Sequence, residues 1–168
     1  MQTSRSSVGR GGEAKHQPAQ GTCGDGLSRA TTEGKKAWHF QQHERAVAFL
    51  QQAHGDGDDI STVMLAGYYW DGFGGLTKDR AKASSLVQGV WPGLQQRAEQ
   101  GDPEAQWAVG HCTQWGMGVS RSREQGFAWC MKAAQQGYAA AQFLVGYYYD
   151  CGFGVSKSKE QAFGWSMK

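Results

Sequence analysis

Small and apolar residues recur at the spacing of a helix face in the second half of the chain. Ala105, Val109 and Cys112 follow one another three or four positions apart, which is the period of one side of an α-helix. Asp102 stands just before them and is a favoured N-cap, because its carboxylate can accept hydrogen bonds from the first unpaired backbone N–H groups. The pattern therefore predicts a helix over residues 101–116.

A second helix is expected after a short glycine-containing connection. Ser122 and Gln125 have the spacing of a capping box, in which the serine side chain bonds the backbone N–H three positions later. Trp129 and Ala133 lie four positions apart and continue one apolar side of this helix. The sequence predicts the helix over residues 122–135, so that one unit of the chain is a helical hairpin.

The same hairpin pattern occurs again after a constant offset of 36 residues. The first-copy residues that recur unchanged at this offset are Gly101, Ala105, Val109, Gly110, Gly116, Gly118, Val119, Ser122, Glu124, Gln125, Phe127, Trp129, Met131 and Lys132. A gapless internal repeat of this kind indicates a stack of similar units, each of which buries one side against the next.

A looser copy precedes these two. Three glycines and a leucine of this copy are expected to match four residues of the first regular copy, with one residue missing before Gly72. The residues of the looser copy are Gly67, Gly72, Gly74 and Leu76, and their expected counterparts are Gly110, Gly116, Gly118 and Val119, in that order. Seven extra residues follow at Val90–Gln96, where Trp91-Pro92-Gly93 is expected to end the second helix early and form a projecting loop.

These patterns predict an all-α protein whose hairpins form an α–α superhelix, or solenoid. Residues 1–34 contain few large apolar side chains, so they are predicted to be a disordered Gly/Ser-rich tail. The solenoid is predicted over residues 35–168. It consists of a partial repeat at 35–55 and repeats at about 57–97, 98–134 and 135–168, the last of them truncated.

Charge and hydropathy exclude several functional classes. The net charge is +2, and most of the excess positive charge lies in the N-terminal tail, which is unlike the basic surface of a nucleic-acid-binding protein. No apolar stretch is long enough to span a membrane, and no apolar signal segment begins the chain. We therefore expect a cytoplasmic protein that neither binds nucleic acid nor inserts into a membrane.

Residues that suggest cofactor chemistry have simpler interpretations. The Gly-x-Gly pairs lack the strand and the Lys-Ser/Thr of a phosphate-binding loop, so they are expected to be turns between helices. Asp56, Asp58 and Asp59 lack the spacing of a calcium loop, and a helix N-cap is expected there instead. The cysteines and histidines lack the spacing of zinc ligands. No metal or other cofactor is predicted.

The repeat resembles the Sel1-like repeat, a relative of the tetratricopeptide repeat. The residues that carry the resemblance are Gly101, Ala105, Val109, Gly110, Gly116, Gly118, Val119, Gly126, Trp129 and Lys132-Ala133-Ala134, with Tyr149 and Asp79-x-x-Lys82-Ala83 in the other copies. The chain departs from the family pattern in two ways. Thr113 stands at an aromatic position, and Ser122 and Ser158 stand at an aspartate position. The resemblance implies an adaptor or scaffold in multiprotein complexes, with other proteins as partners and no enzymatic activity.

In solenoids of this kind, the first helix of each hairpin lines the concave face. The resemblance therefore implies that a partner segment binds there, through aromatic residues outside the repeat pattern and two polar anchors. The candidate partner-binding residues are Tyr68, Trp107, His111, Trp115, Phe143, Tyr147 and Asp150. For each aromatic residue, packing between adjacent hairpins is the alternative.

Two other possibilities remain open. One is a hydrolase of the cysteine-rich Sel1-like branch, with β-lactamase-like activity, or another thiol-dependent enzyme that uses Cys112 or Cys130. That branch carries a cysteine pair in every repeat, which this sequence lacks, and a thiol enzyme requires a lowered thiol pKa. The other is self-association through the last helix, or a longer array, because this helix ends before the family pattern is complete.

Overall fold

The computed structural model describes residues 43–167, and these residues form helices with no strand among them. In chain order the helices are α1 (His43–Gly55), α2 (Asp59–Asp71), α3 (Arg80–Glu99), α4 (Pro103–Trp115), α5 (Arg123–Gln135), α6 (Ala139–Cys151) and α7 (Lys159–Ser166). The pairs α2–α3, α4–α5 and α6–α7 are helical hairpins, which we number 1 to 3. The predicted tail at 1–34 and the start of the predicted partial repeat lie outside the described residues.

Capping residues set the ends of the helices in hairpin 2. The Asp102 carboxylate accepts a hydrogen bond from the backbone N–H of Glu104 at 2.9 Å, and Ser122 caps α5 in a similar way. Gly116 ends α4 with a φ of 72°, a left-handed conformation that glycine adopts without steric cost. The predicted helix 101–116 is thus confirmed to within two residues at each end.

The hairpins stack on one another in a repeating arrangement. Each helix packs against the next one along the chain, and α2 also contacts α4 in the neighbouring hairpin. The side chain of Gln106 donates to the carbonyl of Ala98 at 3.1 Å, and Gln142 donates to the carbonyl of Ala134 at 3.4 Å. Gln142 and Ala134 are the counterparts of Gln106 and Ala98 at the 36-residue offset, so the same hydrogen bond occurs twice. The predicted all-α solenoid is therefore confirmed.

Two glycines allow the helices of hairpin 2 to approach closely. A Cβ atom added at Gly110 would lie 2.5 Å from the Sγ of Cys130 and 2.9 Å from the carbonyl oxygen of Gly126. A Cβ added at Gly126 would lie 2.8 Å from the backbone nitrogen of Gln114. Glycine inside a helix costs about 1 kcal/mol relative to alanine. Here the close packing of α4 on α5 offsets that cost.

The structure corrects the register predicted for hairpin 1. The N-caps Asp58 and Asp102 are 44 residues apart, and the glycine C-caps of α2 and α4 have the same separation. Ala66, rather than Gly67, is therefore the counterpart of Gly110. No residue is missing from α2, and the difference in length lies in the loop that follows it.

The predicted projecting loop at Trp91-Pro92-Gly93 is wrong, because α3 continues through these residues. α3 has 20 residues and α5 has 13, so the seven extra residues add about two helical turns. Proline within a helix leaves the carbonyl four residues earlier without its N–H partner. That carbonyl belongs to Gln88, and both Gln88 and Pro92 are exposed, so solvent can replace the missing donor.

The second glycine of each Gly-x-Gly pair lies against the preceding hairpin or helix. A Cβ atom added at Gly118 would lie 2.6 Å from the carbonyl oxygen of Ser84 in α3. At Gly74 it would lie 2.6 Å from the Val47 side chain in α1, and at Gly154 it would overlap the backbone of Arg123 in α5. These pairs are therefore turns that also bring neighbouring hairpins into contact.

Candidate partner-binding site

A cleft opens between α2 and α4, beside the start of α3. Its volume is about 130 Å³. The lining residues come from both first helices, from α3 and from the loop after α4: Gly67, Trp70, Asp71, Arg80, His111, Trp115 and Met117. Two indole rings, two opposite charges and one imidazole are thus placed around a single small space.

The cleft has no net charge, because it is lined by one positive group, one negative group and a neutral imidazole. The guanidinium of Arg80 lies 4.8 Å from the centroid of the Trp70 ring, a cation–π contact. Asp71 lines the same cleft and supplies a negative charge. Burial lowers the pKa of His111 to about 4, so this imidazole is uncharged at neutral pH.

His111 is held by packing. Its ring stacks on Trp107, with the ring centroids 5.7 Å apart and the planes 21° from parallel. Its Nδ1 atom is buried and has no hydrogen-bond partner among residues 43–167. A buried polar atom without a partner is costly. A polar group that reached this nitrogen would therefore gain a favourable hydrogen bond.

Three of the predicted partner-binding residues are core residues. Trp107 is 1 % exposed, His111 is 4 % exposed and Tyr68 is 6 % exposed. The Trp107 ring meets Tyr138 edge to face at 6.0 Å, and the Tyr68 hydroxyl lies 3.3 Å from Nδ1 of His43. Their assignment to an exposed partner surface is corrected, because neighbouring helices cover these sides of α2 and α4. His111 alone of the three also lines the cleft.

The four other predicted residues lie nearer the surface. Phe143 is 54 % exposed, and Asp150 on the same helix is exposed. Trp115 and Tyr147 are half-buried and both pack on the ring of Phe153, at centroid distances of 5.8 and 5.9 Å. Trp115 reaches the cleft, whereas the other three lie on α6. Of these four residues, one therefore lies at the cleft and three lie on α6.

Sequence reasoning missed Trp70, Asp71 and Arg80, which provide much of the chemistry of the cleft. In the observed register, Asp71 is the counterpart of Trp115, since both precede the glycine that ends the helix. The predicted register matched Gly72 to Gly116, as the structure does, and was one residue out only at Gly67. Alignment back from these two glycines would have placed Trp70 and Asp71 beside the predicted aromatic position at Trp115.

The buried thiols do not suit nucleophilic catalysis. Burial raises the pKa of Cys130 to about 12 and raises the pKa of Cys112 well above its ordinary range. Because the thiolate is the nucleophile, both groups are in the unreactive form at neutral pH. No disulfide joins the cysteines within residues 43–167. These observations count against the thiol-dependent alternative.

Comparison with known protein families decides the identity of the repeat. The sequence model of the Sel1 repeat matches residues 60–83, 103–138 and 139–166, which is more than half of the chain. The chain belongs to the Sel1 repeat family. Sel1 repeats generally mediate contacts between proteins, and their fold is typically an interaction scaffold.

Two solved structures are similar to this Sel1 repeat protein. A Sel1 repeat protein from Oxalobacter formigenes is 31 % identical, with 74 % of this chain and 87 % of that chain covered and a TM-score of 0.44. A protective antigen of uropathogenic Escherichia coli strains, which displays an SLR fold, is 25 % identical, with 80 % of this chain and 29 % of that chain covered and a TM-score of 0.44. No curated protein matches significantly.

Two further properties concern the described part of this Sel1 repeat protein. Between residues 43 and 167, no helix combines the length and the apolar character that crossing a membrane requires. The same residues contain no cluster of three or more His, Cys, Asp or Glu side chains placed to hold a metal ion. Asp58 instead caps α2, where its carboxylate accepts a hydrogen bond from the N–H of Ile60.

Proposed function

We propose that this Sel1 repeat protein is an adaptor that binds a segment of another protein along α2, α4 and α6, the first helices of the hairpins. The cleft between α2 and α4 carries the proposal. Binding energy at protein interfaces is concentrated in a few tryptophan, tyrosine and arginine residues that line or fill pockets. Trp70, Trp115 and Arg80 supply such residues around one recess.

The exposed side of α6 offers further groups to a bound segment. Phe143 and Asp150 are seven positions apart, so they lie two turns apart on one side of the helix. Phe143 offers exposed apolar area, and Asp150 offers a charge that can fix the register of a bound segment. In this proposal the bound segment contacts α6 as well as the cleft.

The proposal requires no covalent chemistry from this chain. The partner is held by burial of apolar side chains, while polar groups at the edge of the contact set its direction. The raised pKa values of the buried Cys112 and Cys130 thiols fit this role better than that of a thiol hydrolase.

Affinity capture with a matched pair of variants tests the proposal. We expect the double variant Phe143→Ser/Asp150→Lys to retain at most about a tenth of the partner that the parent chain captures, because loss of an interface anchor costs about 1.4 kcal/mol or more. The control is Glu124→Lys/Ala128→Ser, which changes exposed residues on α5. Quantitative mass spectrometry measures the captured protein, and circular dichroism checks folding. Equal capture by both variants would exclude this side of α6 from the binding surface.

Self-association is a second candidate, supported by an exposed ring on hairpin 3. Phe163 is 67 % exposed, whereas Phe127, its counterpart 36 residues earlier, packs edge to face on Tyr149 at 5.4 Å. In a two-fold symmetric dimer, hairpin 3 of a second copy would cover Phe163, and each copy would cover the ring of the other. We expect sedimentation equilibrium to show a dimer of the 168-residue chain that Phe163→Ser converts to monomer. If the parent chain is already a monomer, this interaction is excluded.

A further inference from the structure

The cleft between α2 and α4 has room for one side chain. Its volume of about 130 Å³ compares with roughly 150 Å³ for a protein cavity that holds benzene, and with roughly 300 Å³ for the smallest typical ligand pockets. Gly67 keeps the cleft open, because a Cβ atom added there would meet no atom within 4 Å. A single ring-sized group fits this space, and a nucleotide or similar cofactor does not.

The charges around the cleft favour a neutral occupant. A charged side chain would be attracted by one of Arg80 and Asp71 and repelled by the other, so little net attraction would offset the cost of removing it from water. The indole rings of Trp70 and Trp115 line the same space, and aromatic rings gain from offset or edge-to-face packing against one another. A neutral aromatic ring therefore matches the walls best.

The imidazole of His111 adds a requirement for a polar group on that ring. Nδ1 of this residue is buried without a partner among the described residues, and the ring lines the cleft. A hydroxyl group can either donate to an imidazole nitrogen or accept from it, so it suits both tautomers of the neutral ring. Tyrosine is the natural side chain that combines a neutral aromatic ring with a hydroxyl group.

We propose that the cleft binds a tyrosine side chain of the partner segment, an inference that rests on the adaptor function proposed above. The absence of a side chain at Gly67 lets the backbone of the segment approach α2. The ring then lies between the two indoles, with its hydroxyl group toward His111. Arg80 and Asp71 line the same cleft beside the bound ring.

Binding of p-cresol, the side-chain analogue of tyrosine, tests the inference on the full chain. We expect p-cresol to cause saturable NMR shifts of the Trp70 and Trp115 indole N–H signals and of the His111 ring signals, with a millimolar Kd. Toluene has the same ring without the hydroxyl group and should bind several-fold more weakly. n-Propylguanidinium and propionate, the analogues of arginine and glutamate, should cause no saturable shift. Tighter binding of any of these three than of p-cresol would overturn the assignment to tyrosine.

A pair of glycine variants locates the binding. Gly67→Leu should fill the cleft and abolish the p-cresol shifts. It should not disturb α2, because the added Cβ meets no atom and leucine favours a helix more than glycine does. Gly89→Leu is the control: it lies on the exposed side of α3, where an added Cβ also meets no atom. The control should bind p-cresol as the parent does. Unchanged binding by Gly67→Leu would show that the ring binds elsewhere and would reject the inference.

The outcomes separate this inference from the adaptor function. If p-cresol causes no saturable shift while Phe143→Ser/Asp150→Lys still loses the captured partner, the adaptor function stands and the tyrosine inference fails. If p-cresol binds as expected while Gly67→Leu and Gly89→Leu capture the same amount of partner, the cleft fails as the adaptor site. Loss of partner capture by Gly67→Leu, but not by Gly89→Leu, supports both.

Discussion

Replacement of Gly118 by alanine is expected to lower the free energy of unfolding by about 4 kcal/mol. The added Cβ would lie 2.6 Å from the carbonyl oxygen of Ser84, and relief of this overlap requires α3 to shift away from hairpin 2. Overpacking of this kind costs about 1 to 3 kcal/mol. Gly118 also has a φ of 69°, a left-handed conformation that costs an L-residue about 1 to 2 kcal/mol.

Gly137→Ala is the matched control for Gly118→Ala. Gly137 has a φ of 85°, but a Cβ atom added there would meet no atom within 4 Å. Its substitution should therefore cost only the conformational part, about 1 to 2 kcal/mol. Urea unfolding followed by far-UV circular dichroism measures both variants. Equal losses of stability would contradict the argument that the contact with α3 distinguishes Gly118.

The close approach of Gly118 to α3 explains why Gly-x-Gly pairs recur in these hairpins. Within a pair, the first glycine ends the first helix in a left-handed conformation, as Gly116 does for α4. The second glycine, as at Gly74, Gly118 and Gly154, leaves room for the helix that precedes the hairpin. One short loop therefore both closes a hairpin and sets its distance from its neighbour.

The sequence was sufficient to predict hairpins 2 and 3, because their caps, glycines and apolar positions repeat without a gap. In hairpin 1 the part of α2 up to Gly67 was predicted one residue out of register, since Ala66 and Gly67 are both small enough to stand at a helix crossing. The caps of α2 resolve this ambiguity only when both of its ends are known. The prediction at Pro92 failed for a different reason: an exposed proline in a long helix loses one hydrogen bond, and the remaining bonds of α3 keep the helix intact.

The candidate site was harder to predict than the fold. Periodicity identifies the residues on a helix, but it does not show which sides of that helix the neighbouring hairpins cover. Trp107 and Phe143 stand at equivalent positions of adjacent repeats, yet one is buried and the other is 54 % exposed. Trp70 and Arg80 lie on different helices from His111, and only the stacking of hairpin 1 on hairpin 2 brings the three together.

His111 is expected to make the fold sensitive to acid. Burial lowers the pKa of this imidazole to about 4 in the folded chain, whereas an exposed histidine has a pKa of about 6.5. Between these values the unfolded chain binds a proton that the folded chain excludes. The contribution of His111 to stability is therefore complete above about pH 6.5 and is lost as the pH falls toward 4. The loss attributable to His111 should be about 2 kcal/mol between pH 7 and pH 5, and about 3 kcal/mol by pH 4.

Comparison of the parent chain with His111→Leu isolates this effect. Leucine is uncharged and similar in size, so it can pack against Trp107 without binding a proton. Urea unfolding at half-unit steps from pH 7 to pH 4.5 gives the free energy of unfolding of both chains, and the titration of carboxylates and of the other histidines cancels in their difference. We expect the advantage of the parent over the variant to shrink, or to reverse, as the pH falls. A difference that stays constant over this range would show that the His111 ring accepts a proton in the folded chain, and therefore that solvent or a polar group reaches it through the cleft.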